Sequence, residues 1–167
     1  MNKDPEGYVE FVASRGTQLF RMAYLLTGER YAAEDLVQIT LGRLYGAWSK
    51  ASRADNLVAY SRTVMVRCYL AGRRKTRLEQ VGEPHREPAV EDPDTTLRLT
   101  LFAALAELSR QDRAVVVLRY WHDLSVEDTA ALVGVSAGAI RTRSMRALSR
   151  LREHLGSDLN ELTGGVR

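Results

Sequence analysis

Cysteine is almost missing from this chain: Cys68 is the single one in 167 residues. That excludes an internal disulfide framework and a Cys-rich zinc site. Histidine is scarce as well. His85, His122 and His154 lie far apart, and none has a Cys or His partner at ligand spacing. No metal and no cofactor is therefore expected. No apolar run approaches the roughly 18 residues of a membrane span. The opening Met-Asn-Lys-Asp-Pro-Glu lacks the apolar stretch of a signal peptide. The expectation is a cytoplasmic chain without membrane insertion. A Gly-rich phosphate loop and a nucleophile–base pair are also missing. Glu34 and Asp35 are adjacent carboxylates, but neighbours on a helix point about 100° apart and do not converge. These absences weigh against an enzyme.

What is present is a core-forming composition with charge placed unevenly. Hydrophobic residues make up 45% of the chain, and the net charge is +3. Residues 1–74 carry net +4, residues 75–99 net −2, and residues 100–167 net +1. Arg62 to Arg77 holds six basic residues and no acid; Arg141 to Arg152 holds five, again without an acid. Two such stretches fit two contacts with a polyanion, or two solvated helix faces. Three of the four prolines, Pro84, Pro88 and Pro93, fall together in a segment without apolar period. Proline removes a backbone donor and disfavours helix in the residue before it. Residues 76–94 therefore read as a flexible linker between two helical domains.

Strand signals are weak, and the expected fold class is all-α. Tyr8 to Leu26 reads as a first helix that ends near Thr27-Gly28. Ala32 to Trp48 reads as a second, with Leu36, Ile39, Leu44 and Trp48 available for burial. A polar connector, Ser49 to Asn56, follows. Leu57 to Lys75 reads as a helix with Leu57, Ser61, Val64, Met65 and Cys68 on one inward stripe. Val66 and Leu70 fall on its polar side and point to a partner surface. Beyond the linker, Leu97 to Leu108 and Arg110 to Trp121 read as helices, with Trp121 and Leu124 extending an apolar face from Val117. Ala114 to Leu118 alone is compatible with a buried strand. Ser109 and Ser125 open capping-box-like starts.

Residues 126–145 fit a helix-turn-helix. Ala130 is the small residue where two helices cross closely. Gly134 tolerates the positive φ of the turn, Ser136 is a good N-cap, and Ile140 is an apolar anchor. On a helical wheel Ile140, Ser144, Ala147, Leu148, Leu151 and Leu155 face inward. Thr142, Met145, Arg146 and Ser149 face outward, with Arg141 and Arg143 on the flanks. Such a helix offers arginine and hydroxyl groups to a major groove. Arg141 and Arg143 read as phosphate contacts, and Thr142, Met145 and Arg146 as base contacts.

The order of these features resembles one family. Ala33-Glu-Asp-Leu-Val-Gln-Ile-Thr-Leu-Gly-Arg-Leu-Tyr45 resembles the region 2 helix of extracytoplasmic-function (group 4) sigma factors of the sigma-70 family. Arg113-Ala-Val-Val-Val-Leu-Arg-Tyr-Trp-His-Asp-Leu-Ser125, with Val135-Ser-Ala-Gly-Ala-Ile-Arg-Thr-Arg143, resembles region 4. The likeness covers about residues 5–155, and the spelling is most like the actinobacterial SigE-type subgroup. It implies sigma region 2 over 5–75, a linker over 76–94 in place of region 3, and sigma region 4 over 95–155. It implies core RNA polymerase as partner, through the β′ clamp helices and the β flap, and promoter DNA as ligand. An anti-sigma factor is a further partner the family suggests. Asp35, Leu36, Gln38 and Leu41 become candidate clamp contacts, with core packing the alternative for Leu36 and Leu41. Arg53, Asn56, Arg62, Thr63, Arg67, Arg73 and Arg74 become candidate −10 contacts. Ser136, Arg141, Thr142, Arg143, Met145 and Arg146 become candidate −35 contacts. The chain departs from the usual pattern at Arg67, Ala71 and Ile39, which leaves the −10 sequence open.

Two functions compete. An alternative sigma factor would direct promoter-specific initiation by bound polymerase. An operator-binding regulator would use the same helix-turn-helix without polymerase, as a dimer over two half-sites. The clamp-like segment would then be unexplained.

Overall fold

Residues 5–72 and 93–163 are those that the computed structural model describes. Helices α1 (Tyr8–Thr27), α2 (Arg30–Gly46), α3 (Trp48–Ala51) and α4 (Leu57–Ala71) precede helices α5 (Pro93–Ala106), α6 (Arg110–Val116), α7 (Val126–Val133) and α8 (Ala137–Thr163). A π turn, Val117–Trp121, continues α6. No strand occurs among the described residues, so the fold class is all-α. The chain divides into two compact units, one made mainly of the residues up to Ala71 and the other mainly of those that follow.

In the first unit, α1 is bracketed by glycines. Gly7 and Gly28 both adopt positive φ, and the Gly28 N–H closes the helix on the Tyr24 carbonyl at 2.7 Å. An L side chain at that angle meets its own carbonyl, which is why glycine ends the helix. Helix α2 buries Ala33, Leu36, Thr40 and Leu44, one stripe at helical spacing. The stripe packs on α1, which buries Leu19, Met22, Ala23, Leu25 and Leu26. The buried Thr40 hydroxyl donates to the Leu36 carbonyl at 2.7 Å, so it enters the core satisfied. Aromatic rings join the ends of the helices. Tyr8 meets Tyr45 and Trp48 edge-on, each with centroids 5.1 Å apart. Its hydroxyl donates to the Leu41 carbonyl at 3.0 Å, and Trp48 Nε1 donates to the Glu6 carbonyl at 2.8 Å.

The structure corrects the expected first unit in three places. Ile39 is 53% exposed rather than buried. It sits about 100° from the middle of the α2 stripe, outside the arc that α1 and α4 cover. Val66 is fully buried rather than on a partner surface, and Leu70 is half-buried. Helix α4 packs against α1, α2 and α3, so its buried arc is wider than one stripe. The segment after α2 is also not all connector. Trp48 opens α3 and is itself buried, as expected.

In the second unit, Ser109 Oγ accepts from the Asp112 N–H at 3.1 Å and Ser125 Oγ from the Asp128 N–H at 2.9 Å. Both are N-caps of the kind the sequence signals. Residues Arg113 to Leu118 are all buried. That explains why this run carries no helical period. In the π turn the His122 N–H reaches back five residues to the Val117 carbonyl at 3.1 Å. The wider turn changes the helical register of the residues that follow Val117. Trp121 is therefore exposed, contrary to expectation, and Leu124 is half-buried.

Met65 is fully buried and Ile39 faces outward. Met65→Ala is expected to reduce the unfolding free energy by about 2–5 kcal/mol, and Ile39→Ala to change it by no more than about 0.5 kcal/mol. Urea denaturation of the full chain checks both; equal losses would contradict the assigned faces.

Candidate functional site

The helix-turn-helix is built from local chemistry. Thr129 and Ala130 are the buried residues of α7. Gly134 has φ 79°, and the Val135 N–H donates to the Ala130 carbonyl at 3.2 Å. Ser136 Oγ then accepts from the Ala139 N–H at 3.1 Å and starts α8. Ile140 and Ala147 are fully buried, and Ser144 and Leu151 nearly so. Leu148 and Leu155 are half-buried. Helix α8 is thereby packed on α5 and α6. This leaves Thr142, Met145, Arg146 and Ser149 on the exposed side, the arrangement the wheel predicts.

The electrostatics of this face are more constrained than sequence conveys. Arg146 is exposed, with no intramolecular acid holding it among the described residues. Arg141 Nη2 pairs with Glu127 Oε1 of α7 at 3.2 Å. Arg143 Nη1 pairs with Asp112 Oδ1 of α6 at 2.9 Å. The Thr142 hydroxyl donates to the Gly138 carbonyl at 3.1 Å and keeps its lone pairs for a ligand. Ser136 is exposed, but its hydroxyl oxygen is engaged as the cap. Beside the helix lies a cleft of about 330 Å³, with Arg119, Tyr120 and Val126 on one side and Arg141, Met145 and Arg152 on the other. The Arg119 guanidinium lies over the Tyr120 ring, 5.7 Å from its centroid, and donates to the Leu124 carbonyl.

The first unit carries a second candidate surface around the start of α4. Arg53 and Asn56 are exposed. Asn56 Oδ1 accepts from the Ala59 N–H at 2.9 Å, so the residue assigned to a base is also the cap of α4. Its amide NH₂ remains as a donor. Arg62 is half-buried, and desolvation lowers its pKa from the ordinary arginine value. Thr63 is half-buried, with its hydroxyl donating to the Ala59 carbonyl at 3.1 Å; Arg67 is exposed. Arg73 and Arg74 lie outside the described residues.

On α2 the expected clamp contacts separate. Asp35 and Gln38 are exposed, Leu41 is half-buried, and Leu36 is buried against α1. Leu36 takes the core-packing alternative. Tyr31 and Ile39 are the exposed apolar residues of the same helix. Sequence reading missed Tyr31 altogether and placed Ile39 inside. The signal available for both was position: each stands one or more steps off the Ala33–Leu36–Thr40–Leu44 stripe.

Comparison with known proteins agrees with this anatomy. Residues 11–79 match sigma-70 region 2, and residues 98–151 match sigma-70, region 4. The chain is 37% identical over 153 residues to RNA polymerase sigma-E factor of Streptomyces avermitilis, covering 90% of this chain and 86% of that one. It is 31% identical over 152 residues to the ECF RNA polymerase sigma factor SigL of Mycobacterium tuberculosis, covering 83% and 84%. Among solved structures it resembles the sigma factor RpoE of Bartonella quintana, seen in complex with the anti-sigma factor NepR. There the TM-score is 0.67 at 26% identity, over 92% of this chain and 99% of that one. With both regions present in order behind a matching fold, the chain belongs to the sigma-70 family of RNA polymerase sigma factors, in its extracytoplasmic-function (ECF) branch.

Proposed function

We infer that this chain is an alternative sigma factor that binds core RNA polymerase and directs promoter-specific initiation through −35 and −10 elements. The observation that carries this is the pairing, in one chain, of region 2 and region 4 matches with an exposed, capped recognition helix. An operator-binding regulator needs only the helix-turn-helix and leaves the region 2 match without a role. The bond-making chemistry belongs to the polymerase, so this chain needs no catalytic residue and no cofactor. It would work in the cytoplasm beside the enzyme.

The division of labour follows the two units. Residues 95–155 read the −35 element. Thr142, Met145 and Arg146 of α8 approach base edges, and Arg141 a phosphate. Residues 5–75 hold the polymerase and the −10 element. The outward face of α2, with Tyr31, Asp35, Gln38 and Ile39, meets the clamp helices of β′; half-buried Leu41 lies at its margin. Exposed apolar groups flanked by polar ones suit such a contact. Arg53 and the free amide of Asn56 meet melted bases, and Thr63 and Arg67 line the same side of the site. Arg62, Arg73 and Arg74 complete the −10 set. Binding through so many arginines releases counterions and weakens steeply with salt. An anti-sigma factor is part of the same reading, because the Bartonella quintana relative is seen bound to one.

Two substitutions separate the surfaces. Arg146→Ala removes a base contact of about 1–3 kcal/mol, so promoter-specific initiation is expected to fall roughly 5- to 150-fold. Core affinity in a fluorescence titration should stay within about twofold. Loss of core binding by Arg146→Ala would count against the −35 assignment. Asp35→Ala or Ile39→Glu is expected to weaken core binding while leaving the melting temperature unchanged. Unchanged affinity for both would remove the α2 face from the polymerase contact.

A further inference from the structure

Arg141 and Arg143 are two residues apart on the recognition helix and read alike in sequence. Their side chains leave α8 about 200° apart, and each reaches a different neighbour. Arg141 goes to Glu127 of α7, Arg143 to Asp112 of α6.

The two pairs differ in kind. The Arg141 and Glu127 side chains are 61% and 69% exposed. Such a pair is screened by water and salt and opens readily when a stronger anion arrives. The Arg143 and Asp112 side chains are only 27% and 13% exposed, and their contact is shorter, at 2.9 Å. Charge-assisted hydrogen bonds in a shielded place are strong, and removing one partner leaves the other charge half-buried and unpaired. Asp112 is itself anchored. Its N–H is bonded to Ser109 Oγ at 3.1 Å, and the residues that follow it, Arg113 to Val116, are buried.

We infer that Arg143 and Asp112 are positioning residues for −35 recognition, and that of the two arginines Arg141 alone is the phosphate contact. The Asp112–Arg143 pair fixes the first turns of α8 to α6. That sets the depth and rotation at which Thr142, Met145 and Arg146 are presented. The inference rests on the −35 reading of α8.

The test is equilibrium binding of the holoenzyme, assembled from the full chain and core polymerase. The probe is a fluorescein-labelled duplex carrying the promoter that the holoenzyme selects from genomic DNA. Binding is measured over a salt series. Each phosphate contact contributes about 0.9 to the slope of log K against log salt. Arg141→Ala is expected to lower the slope by about that amount. Arg143→Ala and Asp112→Asn are each expected to weaken binding roughly tenfold with the slope unchanged. Their double variant should lose no more than the worse single, since both break one pair. Arg143→Lys covers the case in which Arg143→Ala does not fold. A lysine serves a phosphate well, but it lacks the planar fork for Asp112, so binding should still fall severalfold. A slope drop of about 0.9 for Arg143→Ala, or full affinity for Arg143→Lys, would overturn the positioning role. If Arg141→Ala and Arg146→Ala both leave affinity and slope unchanged, the −35 reading itself is overturned, and this inference with it.

Discussion

The turn between α7 and α8, with the packing of α8 on α5 and α6, is the constraint on which DNA reading depends. Ala130 is buried, Gly134 turns the chain at φ 79°, and Ile140 is buried completely. Once those three are satisfied, helical geometry assigns every other residue of α8 to a face. The exposed arc with Thr142, Met145 and Arg146 is therefore a consequence of packing. A larger residue at 130 or an L side chain at 134 would disturb the recognition surface without touching DNA.

The first unit obeys an analogous rule. Its core is set by α2 laying Ala33, Leu36, Thr40 and Leu44 on α1, with the Tyr8–Tyr45–Trp48 rings closing the far end. What α2 buries it cannot offer. Leu36 is spent on the core, and the outward face is left to Tyr31, Asp35, Gln38 and Ile39. Ile39 follows Asp35-Leu-Val-Gln38 directly and is 53% exposed. The outward face of α2 is accordingly apolar at that point.

Sequence legibility followed the range of the interactions. Caps at Ser109, Ser125 and Ser136, and the turn at Gly134, were readable because a side chain bonds to backbone three residues away. The recognition face was readable because α8 is regular over its length. Ile39 and Val66 were misplaced because the width of a buried arc depends on how many neighbours pack against a helix, which periodicity does not encode. Trp121 was misplaced because a π turn shifts register by a residue, without local warning. The Arg143–Asp112 pair spans 31 positions, so nothing near Arg143 announces it. Asn56 combined two roles in one side chain, and its capping role became visible only in the geometry.

The central claim is that this chain confers promoter selectivity on polymerase. Run-off transcription with purified core polymerase on sheared genomic DNA, with and without the protein, tests it most directly. The account predicts discrete new transcripts whose start sites share −35 and −10 elements, appearing only when the protein is added. No new transcripts, together with nanomolar binding of duplex DNA by the free protein, would contradict it.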